Sequence, residues 1–313
     1  VADGSRWSRG NIVVAMSGQT TRQSQRLLRT LFGDYWTAEG ALAPAGAVAE
    51  MLGDYGVSVP AARAALRRSA QRGLLASSRS GRSTHYGLTD SGRRTLTEAW
   101  ERLVEFGTAA QEWDGRWTCV AFSIPEQQRD QRHRLRSRLR WLGFAPLYDG
   151  VWVCPKAVDR QLRAVLAELG VGAATVFVGE QAGSGTDFGR ALDAWDLAEV
   201  RAECERFVTE TAESERRMRA GLVAPAEALR VRTRLMVRWV GLVNDVPDLP
   251  AELLPADWPV REARRLWETV YDGLRTPALY RVRQIVEGYA PDLADGIAVR
   301  AAGDAADAVP VAS

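Results

Sequence analysis

The chain has 313 residues, which suits two or three domains at roughly 100–200 residues each. Apolar residues make up 46% and charged residues 26%, which excludes a disordered protein, and no apolar run approaches the ~20 residues of a membrane span. The formal charge of +2 hides an asymmetry: residues 1–113 carry +4, residues 114–181 carry +3 and residues 182–313 carry −5.

Of the 41 basic residues only Lys156 is lysine. Such a bias reflects a high-GC genome, so arginine abundance alone does not signal function. Cys119, Cys154 and Cys204 lie far apart with no C-x-x-C pair, which argues against a disulfide framework or a zinc knuckle. Residues 1–20 are read as a disordered leader, because Ile12–Met16 is too short for the apolar core of a signal peptide. Free thiols without an export signal lead to the expectation of a cytoplasmic protein with no membrane partner.

Residues 21–89 read as three helices and a hairpin. In 22–33, Leu27, Leu28, Leu31 and Phe32 recur at helical spacing, and Gly33 is a stop signal. A second helix, 44–54, opens at Pro44 and presents Val48, Met51 and Leu52. Tyr55-Gly56-Val57 makes a short turn. Ser58 then caps a third helix, with Pro60 in its first turn and a stop at Gly73. Strands at 74–78 and 84–89 follow, joined by a loop containing Gly81. A linker helix is expected over 90–112, starting at Asp90 as an acidic cap.

The third helix carries the functional signal. Val59, Ala62, Leu66, Ser69 and Ala70 fall toward one side, while Pro60, Ala64, Arg67, Arg68 and Gln71 fall opposite, flanked by Arg63 and Arg72. Small inward residues permit close packing on a neighbour. The outward guanidinium forks and amide suit guanine O6/N7, adenine N6/N7 or phosphates. Residues 58–94 hold eight arginines against the single acid Asp90. In the hairpin, Arg79, Arg82, Ser83, Thr84 and His85 can reach phosphate or minor groove. Together these features predict a winged helix-turn-helix on double-stranded operator DNA. The expected contact set is Ser58, Arg63, Ala64, Arg67, Arg68, Gln71, Arg72, Arg79, Arg82, Ser83, Thr84 and His85.

Residues 113–182 alternate as strand 117–124, helix 126–142, strands 143–148 and 150–154, helix 157–169 and strand 174–178. That βαββαβ order predicts a ferredoxin-like domain. A metal-dependent nucleic-acid-processing enzyme built on it is the competing reading. Phosphodiester cleavage would need carboxylates at the end of the first strand, yet the strand ends Phe122-Ser123-Ile124-Pro125, leaving only Asp114 and Glu126 nearby. The arginines at 132, 134, 136, 138 and 140 spread over several helix faces and read as ion-paired or solvated. No Walker loop, G-x-G-x-x-G or G-x-S-x-G element is present. No catalytic residue, cofactor or metal is expected.

Residues 187–291 read as an all-α domain and 292–313 as a disordered low-complexity tail. The fold class is therefore α+β in three parts. A pocket for a small anionic effector would need arginines beside aromatic walls. The candidates are Arg230, Arg234, Arg238, Trp239 and Trp258.

Six stretches carry a family resemblance: LLRTLFGDYW (27–36), ARAALRRSAQRGLL (62–75), GRSTHYGLTDSGRR (81–94), WDGRWTCVAF (113–122), LGFAPLYDGVWVCP (142–155) and LPAELLPADWPVREARRLWETVY (249–271). They resemble the PaaX-type repressors of phenylacetate degradation. The resemblance implies a homodimeric, operator-binding transcription regulator with an N-terminal winged helix, a central domain like a CRISPR-associated small nuclease, and a helical C-terminal domain. It also implies an aromatic acyl-CoA inducer, phenylacetyl-CoA in the namesake. Two departures stand out. Ala64 replaces the threonine common in the family's recognition helix, and Val237-Arg238-Trp239-Val240-Gly241-Leu242 replaces a histidine with paired arginines.

Overall fold

The computed structural model describes residues 9–108, 113–181, 191–247 and 249–304, with side chains from residue 21 onward. Its elements in chain order are α1 (Arg9–Tyr35), β1 (Ala43–Pro44), α2 (Ala45–Gly53), α3 (Val59–Gln71), β2 (Leu75–Ser80), β3 (Ser83–Leu88) and α4 (Asp90–Glu105). There follow β4 (Arg116–Phe122), α5 (Arg129–Trp141), β5 (Ala145–Tyr148), β6 (Val151–Cys154), α6 (Asp159–Glu168) and β7 (Ala174–Glu180). The last helices are α7 (Leu197–Arg219), α8 (Pro225–Asp245), α9 (Val260–Gly273) and α10 (Arg275–Glu287). The fold class is α+β, with two small sheets among many helices.

The chain forms two compact units. One draws on residues 1–106, 207–241 and 262–313, the other on 107–206 and 242–261. The helices expected as a separate domain over 187–291 are thus divided between the two. Aromatic burial accounts for their joining the first unit. Trp239 of α8 stacks on Trp267 of α9 with ring centroids 4.8 Å apart and planes 7° from parallel. Trp100 of α4 lies 6.2 Å from Trp267, and Phe106 and Phe207 each lie 5.5 Å from Trp239. Trp239 Nε1 donates to the Leu103 carbonyl at 3.1 Å, satisfying the polar edge that a buried indole carries. Such rings contribute large apolar areas, and no helix of this set can cover its rings alone.

Four boundaries of the first unit differ from expectation. Residues 9–20, read as leader, lie within α1. The anchored half, with Leu28, Leu31 and Phe32 fully buried, nucleates a helix that extends cheaply toward its N-terminus; residues 1–8 lie outside the described residues. α4 ends at Glu105, and residues 109–112 of the expected linker helix lie outside the described set. Its cap is Thr89 rather than Asp90: Thr89 Oγ1 accepts from the Gly92 amide at 2.9 Å. Gly92 is needed there, because a Cβ would sit 2.1 Å from the Leu74 carbonyl oxygen.

The fourth difference is the tail. Residues 292–304 are tied into the first unit, while 305–313 lie outside the described residues. Ile297, Val299 and Arg300 are buried. The Arg300 amide donates to the Asp34 carbonyl at 3.1 Å, the Ala302 amide to Asp272 Oδ1 at 2.8 Å, and Trp100 Nε1 to the Asp304 carbonyl at 3.2 Å. Beneath this segment is a buried polar knot. Arg232 reaches Asp34 at 3.1 Å, also donates to the Arg300 carbonyl, and lies 3.6 Å over the Tyr271 ring. Tyr271 donates to Asp34 Oδ1 at 2.8 Å. Burial pushes the Asp34 carboxyl above its ordinary range, against the pull of Arg232.

In the second unit, a four-stranded antiparallel sheet runs β5-β6-β4-β7. Val120 of β4 sits opposite both Trp152 and Val176. A core of Val120, Leu135, Leu139, Trp152, Leu162 and Leu166 joins the sheet to α5 and α6. Trp117 and Val153 pack instead with Ala191 and Leu192. The expected helix over 126–142 divides into a short 3-10 turn, Glu126–Gln128, and α5.

Candidate nucleic-acid interface

α2 and α3 are joined by a tight turn in which Gly56 adopts φ +78°, the left-handed conformation that glycine enters without steric cost. Ser58 Oγ accepts from the Ala61 amide at 3.4 Å and Pro60 sits in the first turn, so the start of α3 is fixed locally. The buried face of α3 is Ala62, Ala65, Leu66 and Ser69. Ala65 therefore joins the inward set, whereas Val59, at the overhanging end, is 49% exposed. Gln25 of α1 clasps this face: its Nε2 donates to the Ala65 carbonyl at 2.9 Å, and Ser69 Oγ donates to its Oε1 at 3.1 Å.

The opposite face presents Arg63, Arg67 and Gln71 at i, i+4, i+8, all exposed, with Arg72 exposed at the end and Ala64 half-buried. Arg68 is half-buried at the flank, with Nε enclosed and unpartnered. β2 and β3 pair from Leu75↔Leu88 to Ser80↔Ser83, so the turn is the two residues Gly81-Arg82, with Gly81 at φ +58°. Arg79, Arg82 and Ser83 are exposed and Thr84 is half-buried.

His85 departs from expectation. It is 7% exposed, and its Nε2 has no partner among the described residues. The cause is β1, a two-residue strand that the sequence reading omitted. β1 pairs with β3, placing Pro44 opposite His85 on one side while Ser78 lies opposite on the other. β3 is therefore a central strand, and His85 belongs to the support of the hairpin rather than to its exposed rim.

Arg63, Arg67, Arg72, Arg79 and Arg82 make no ion pair among the described residues. By contrast Arg93 is held by Asp90 at 3.1 Å. A cluster of exposed cations without local counter-charges is an open anion surface.

The second candidate set is only partly brought together. Arg234 and Arg238 line a cavity of about 790 Å³ in the first unit, with Arg22, Arg26 and Tyr55 also in its wall. Arg230 does not line it, and Trp258 lies in the other unit. Trp239 is fully buried in the aromatic core and offers no face to a ligand. Arg22, Arg26 and Tyr55 were missed by the sequence reading; the i, i+4 spacing of the two arginines on α1 was the available signal. The carboxylates weighed for metal chemistry are engaged elsewhere: Asp114 accepts from the Arg116 amide at 2.9 Å and Glu126 pairs with Arg132 at 2.8 Å.

Residues 23–92 match the family model described as PaaX-like protein, residues 110–189 that of the PaaX protein central Cas2-like domain, and residues 195–283 that of the PaaX-like protein C-terminal domain. The chain belongs to the PaaX family. It is similar to transcriptional repressor PaaX of Escherichia coli (strain K12), at 26% identity over 259 residues, which covers 81% of either chain. Among solved structures it is similar in fold to the uncharacterized protein Rv0674 from Mycobacterium tuberculosis, with a TM-score of 0.55 and 22% identity over 82% of this chain and 96% of that one. In this PaaX-family chain, the first matched segment contains α2, α3 and the hairpin in full.

Proposed function

We propose that this chain is a sequence-specific DNA-binding transcriptional regulator, acting as a repressor, in which α2, α3 and the β2–β3 hairpin form a winged helix-turn-helix. The observation that carries the reading is the unpaired arginine surface. Arg63, Arg67 and Gln71 share the free face of α3, and Arg79 and Arg82 extend that positive charge along the hairpin. In this reading α3 enters the major groove and reads base edges through Arg63, Arg67 and Gln71. Arg72, Arg79, Arg82, Ser83 and Thr84 hold phosphates, and Ser58 and Ala64 border the contact. Arg68, at the flank, bonds backbone rather than bases.

The central unit is read as a ferredoxin-like module, supported by its βαββαβ order and β5-β6-β4-β7 sheet. The regulator is read as a cytoplasmic homodimer whose operator is a palindrome, following from the two-fold symmetry of such dimers. Its effector is read as an acyl-CoA, on the strength of the family resemblance. Such a ligand releases the protein only through different affinities for the free and DNA-bound conformations. Gel shifts on the chain's own promoter region across a salt series test the core of the proposal. Specific retardation that weakens linearly with log salt is expected. Equal affinity for promoter and unrelated duplex would refute sequence-specific regulation.

A further inference from the structure

Base reading by α3 depends on where its side chains point, and that direction is set on the far side of the helix. The inner face consists of Ala62, Ala65, Leu66 and Ser69, of which only Leu66 is large. Helices that meet through bulky ridges lock into each other's grooves, and the interlocking fixes their rotation. A face of alanine and serine offers shallow ridges. Apolar contact with α1 therefore holds α3 close but determines its rotation about its own axis only weakly.

Polar contacts supply what the ridges lack. Gln25 of α1 donates from Nε2 to the Ala65 carbonyl at 2.9 Å and accepts at Oε1 from Ser69 Oγ at 3.1 Å. A carbonyl can only accept, so the amide nitrogen must face Ala65, which leaves the oxygen for the Ser69 hydroxyl. The two anchor points are one helical turn apart, at i and i+4. At about 100° per residue, Ala65 lies about 200° round the axis from Arg63 and from Arg67. Ser69 stands in the same relation to Arg67 and Gln71. One amide grips α3 along a line nearly opposite all three exposed side chains.

α1 is itself anchored. Leu27, Leu28, Leu31 and Phe32 are buried, and so is Ser24, whose hydroxyl donates to the Thr21 carbonyl at 3.0 Å. The far end of α3 has a separate tie: the Gly73 carbonyl accepts from Thr89 Oγ1 and, at 3.2 Å, from Ser91 Oγ. That tie lies beyond the last turn and fixes where α3 ends, while Gln25 fixes how it is turned.

We infer that Gln25 is a positioning residue for base reading: by holding Ala65 and Ser69 it fixes the rotation of α3, and with it the aim of Arg63, Arg67 and Gln71. The inference rests on the reading of α3 as the helix that meets base edges. Gln25 takes no part in that contact itself, because its amide is engaged on the opposite face. Turning α3 by about 10° moves a side-chain end ~6 Å from the axis by about 1 Å. A bidentate contact to guanine or adenine demands placement within about 0.5 Å. Arg79 and Arg82 ride on β2 and the hairpin turn and do not rotate with α3. Loss of the clasp therefore removes discrimination between sequences and spares general attraction to DNA.

The test uses the full chain, a duplex that the parent enriches from a randomised pool, and an unrelated duplex of the same length. Gln25→Leu keeps the bulk of the side chain without either bond. It should bind the enriched duplex about tenfold more weakly and the unrelated duplex within about twofold of the parent, with the same salt slope. Gln25→Glu, which keeps the acceptor and loses the donor, should fall with Gln25→Leu and not with the parent. Ser69→Ala should lose less, and the double variant Gln25→Leu, Ser69→Ala should be no weaker than Gln25→Leu alone, because both changes dismantle one device. Among folded variants, equal loss on both duplexes, or parent-like discrimination in Gln25→Leu and Gln25→Glu, overturns the role of Gln25. Should the Gln25 variants fail to fold, Ser69→Ala decides: lost discrimination at an unchanged melting temperature supports the clasp, and parent-like discrimination overturns it. A parent that enriches no sequence refutes the reading of α3 and this inference with it.

Discussion

Two sets of arginines in this chain look alike as sequence and differ in their surroundings. α5 carries Arg132, Arg134, Arg136, Arg138 and Arg140, while α3 and the hairpin carry Arg63, Arg67, Arg68, Arg72, Arg79 and Arg82. On α5, Glu126 holds Arg132, Asp149 holds Arg136 at 3.0 Å and Glu168 holds Arg138 at 2.7 Å; Arg140 lies 5.4 Å from the Trp152 ring centre. On α3 and the hairpin, no such carboxylate is in reach among the described residues. Where nearly every cation is arginine, local pairing rather than abundance separates an anion-binding surface from a salt-bridged one. Arg232 marks a third condition, fully buried and held by Asp34.

That contrast predicts a graded set of effects. Arg232→Ala should cause the largest, about 3–5 kcal/mol of lost stability, because it leaves the Asp34 carboxyl buried without its cation and frees the Arg300 carbonyl. Urea unfolding followed by tryptophan fluorescence measures it; a loss below ~1 kcal/mol would mean that the knot is not structural. Next comes Arg67→Ala. It should cost ~1–3 kcal/mol of operator affinity and relax base preference at one position while leaving unfolding untouched, since the side chain is exposed. Competition gel shifts against single-base operator variants read this out.

Arg82→Ala should act differently from Arg67→Ala. If the hairpin sits on the duplex as proposed, Arg82 at its tip is a phosphate contact, and the variant should weaken all duplexes alike and lower the slope of log affinity against log salt by about 0.9. A change in base preference instead would move the hairpin from positioning to reading. The smallest effect belongs to α5. Arg136→Ala with Arg138→Ala breaks two partly exposed pairs, which should cost about 0–1 kcal/mol of stability each and leave DNA affinity and its salt slope unchanged. A shallower slope in that variant would erase the distinction between the two sets.

The sequence was most legible where the signal was local. Ser58, Pro60 and the stop at Gly73 define α3 to within a residue or two, and the outward placement of Arg67 and Gln71 follows from helical spacing alone, whereas Arg63, read at the flank, shares the exposed face and Arg68, read as outward, is half-buried. The order of strands and helices over 116–180 was legible for the same reason, because each short apolar run is bounded by glycine, proline or charge. His85 was misplaced because its environment depends on β1, a two-residue strand with no periodicity to detect. Trp239 was misread as a ligand wall because a tryptophan beside arginines looks the same in sequence whether its partner is a ligand or Trp267.

By itself, then, the sequence determined the capped helix, its cationic face, the hairpin turn at Gly81 and the alternation of the central unit, since these depend on neighbours within a few residues. Tertiary structure alone decided which cations remain unpaired, since counter-charges such as Asp149 for Arg136 arrive from other elements. It also decided that the alanine-rich segment up to residue 304 is held against Asp34 and Asp272, by backbone amides that carry no side-chain signature. The physical reason is range. Capping and periodicity act over one or two helical turns, whereas ion pairing, aromatic stacking and backbone docking join residues more than 200 positions apart, as Trp100 and Asp304 are, and only the folded chain brings these together.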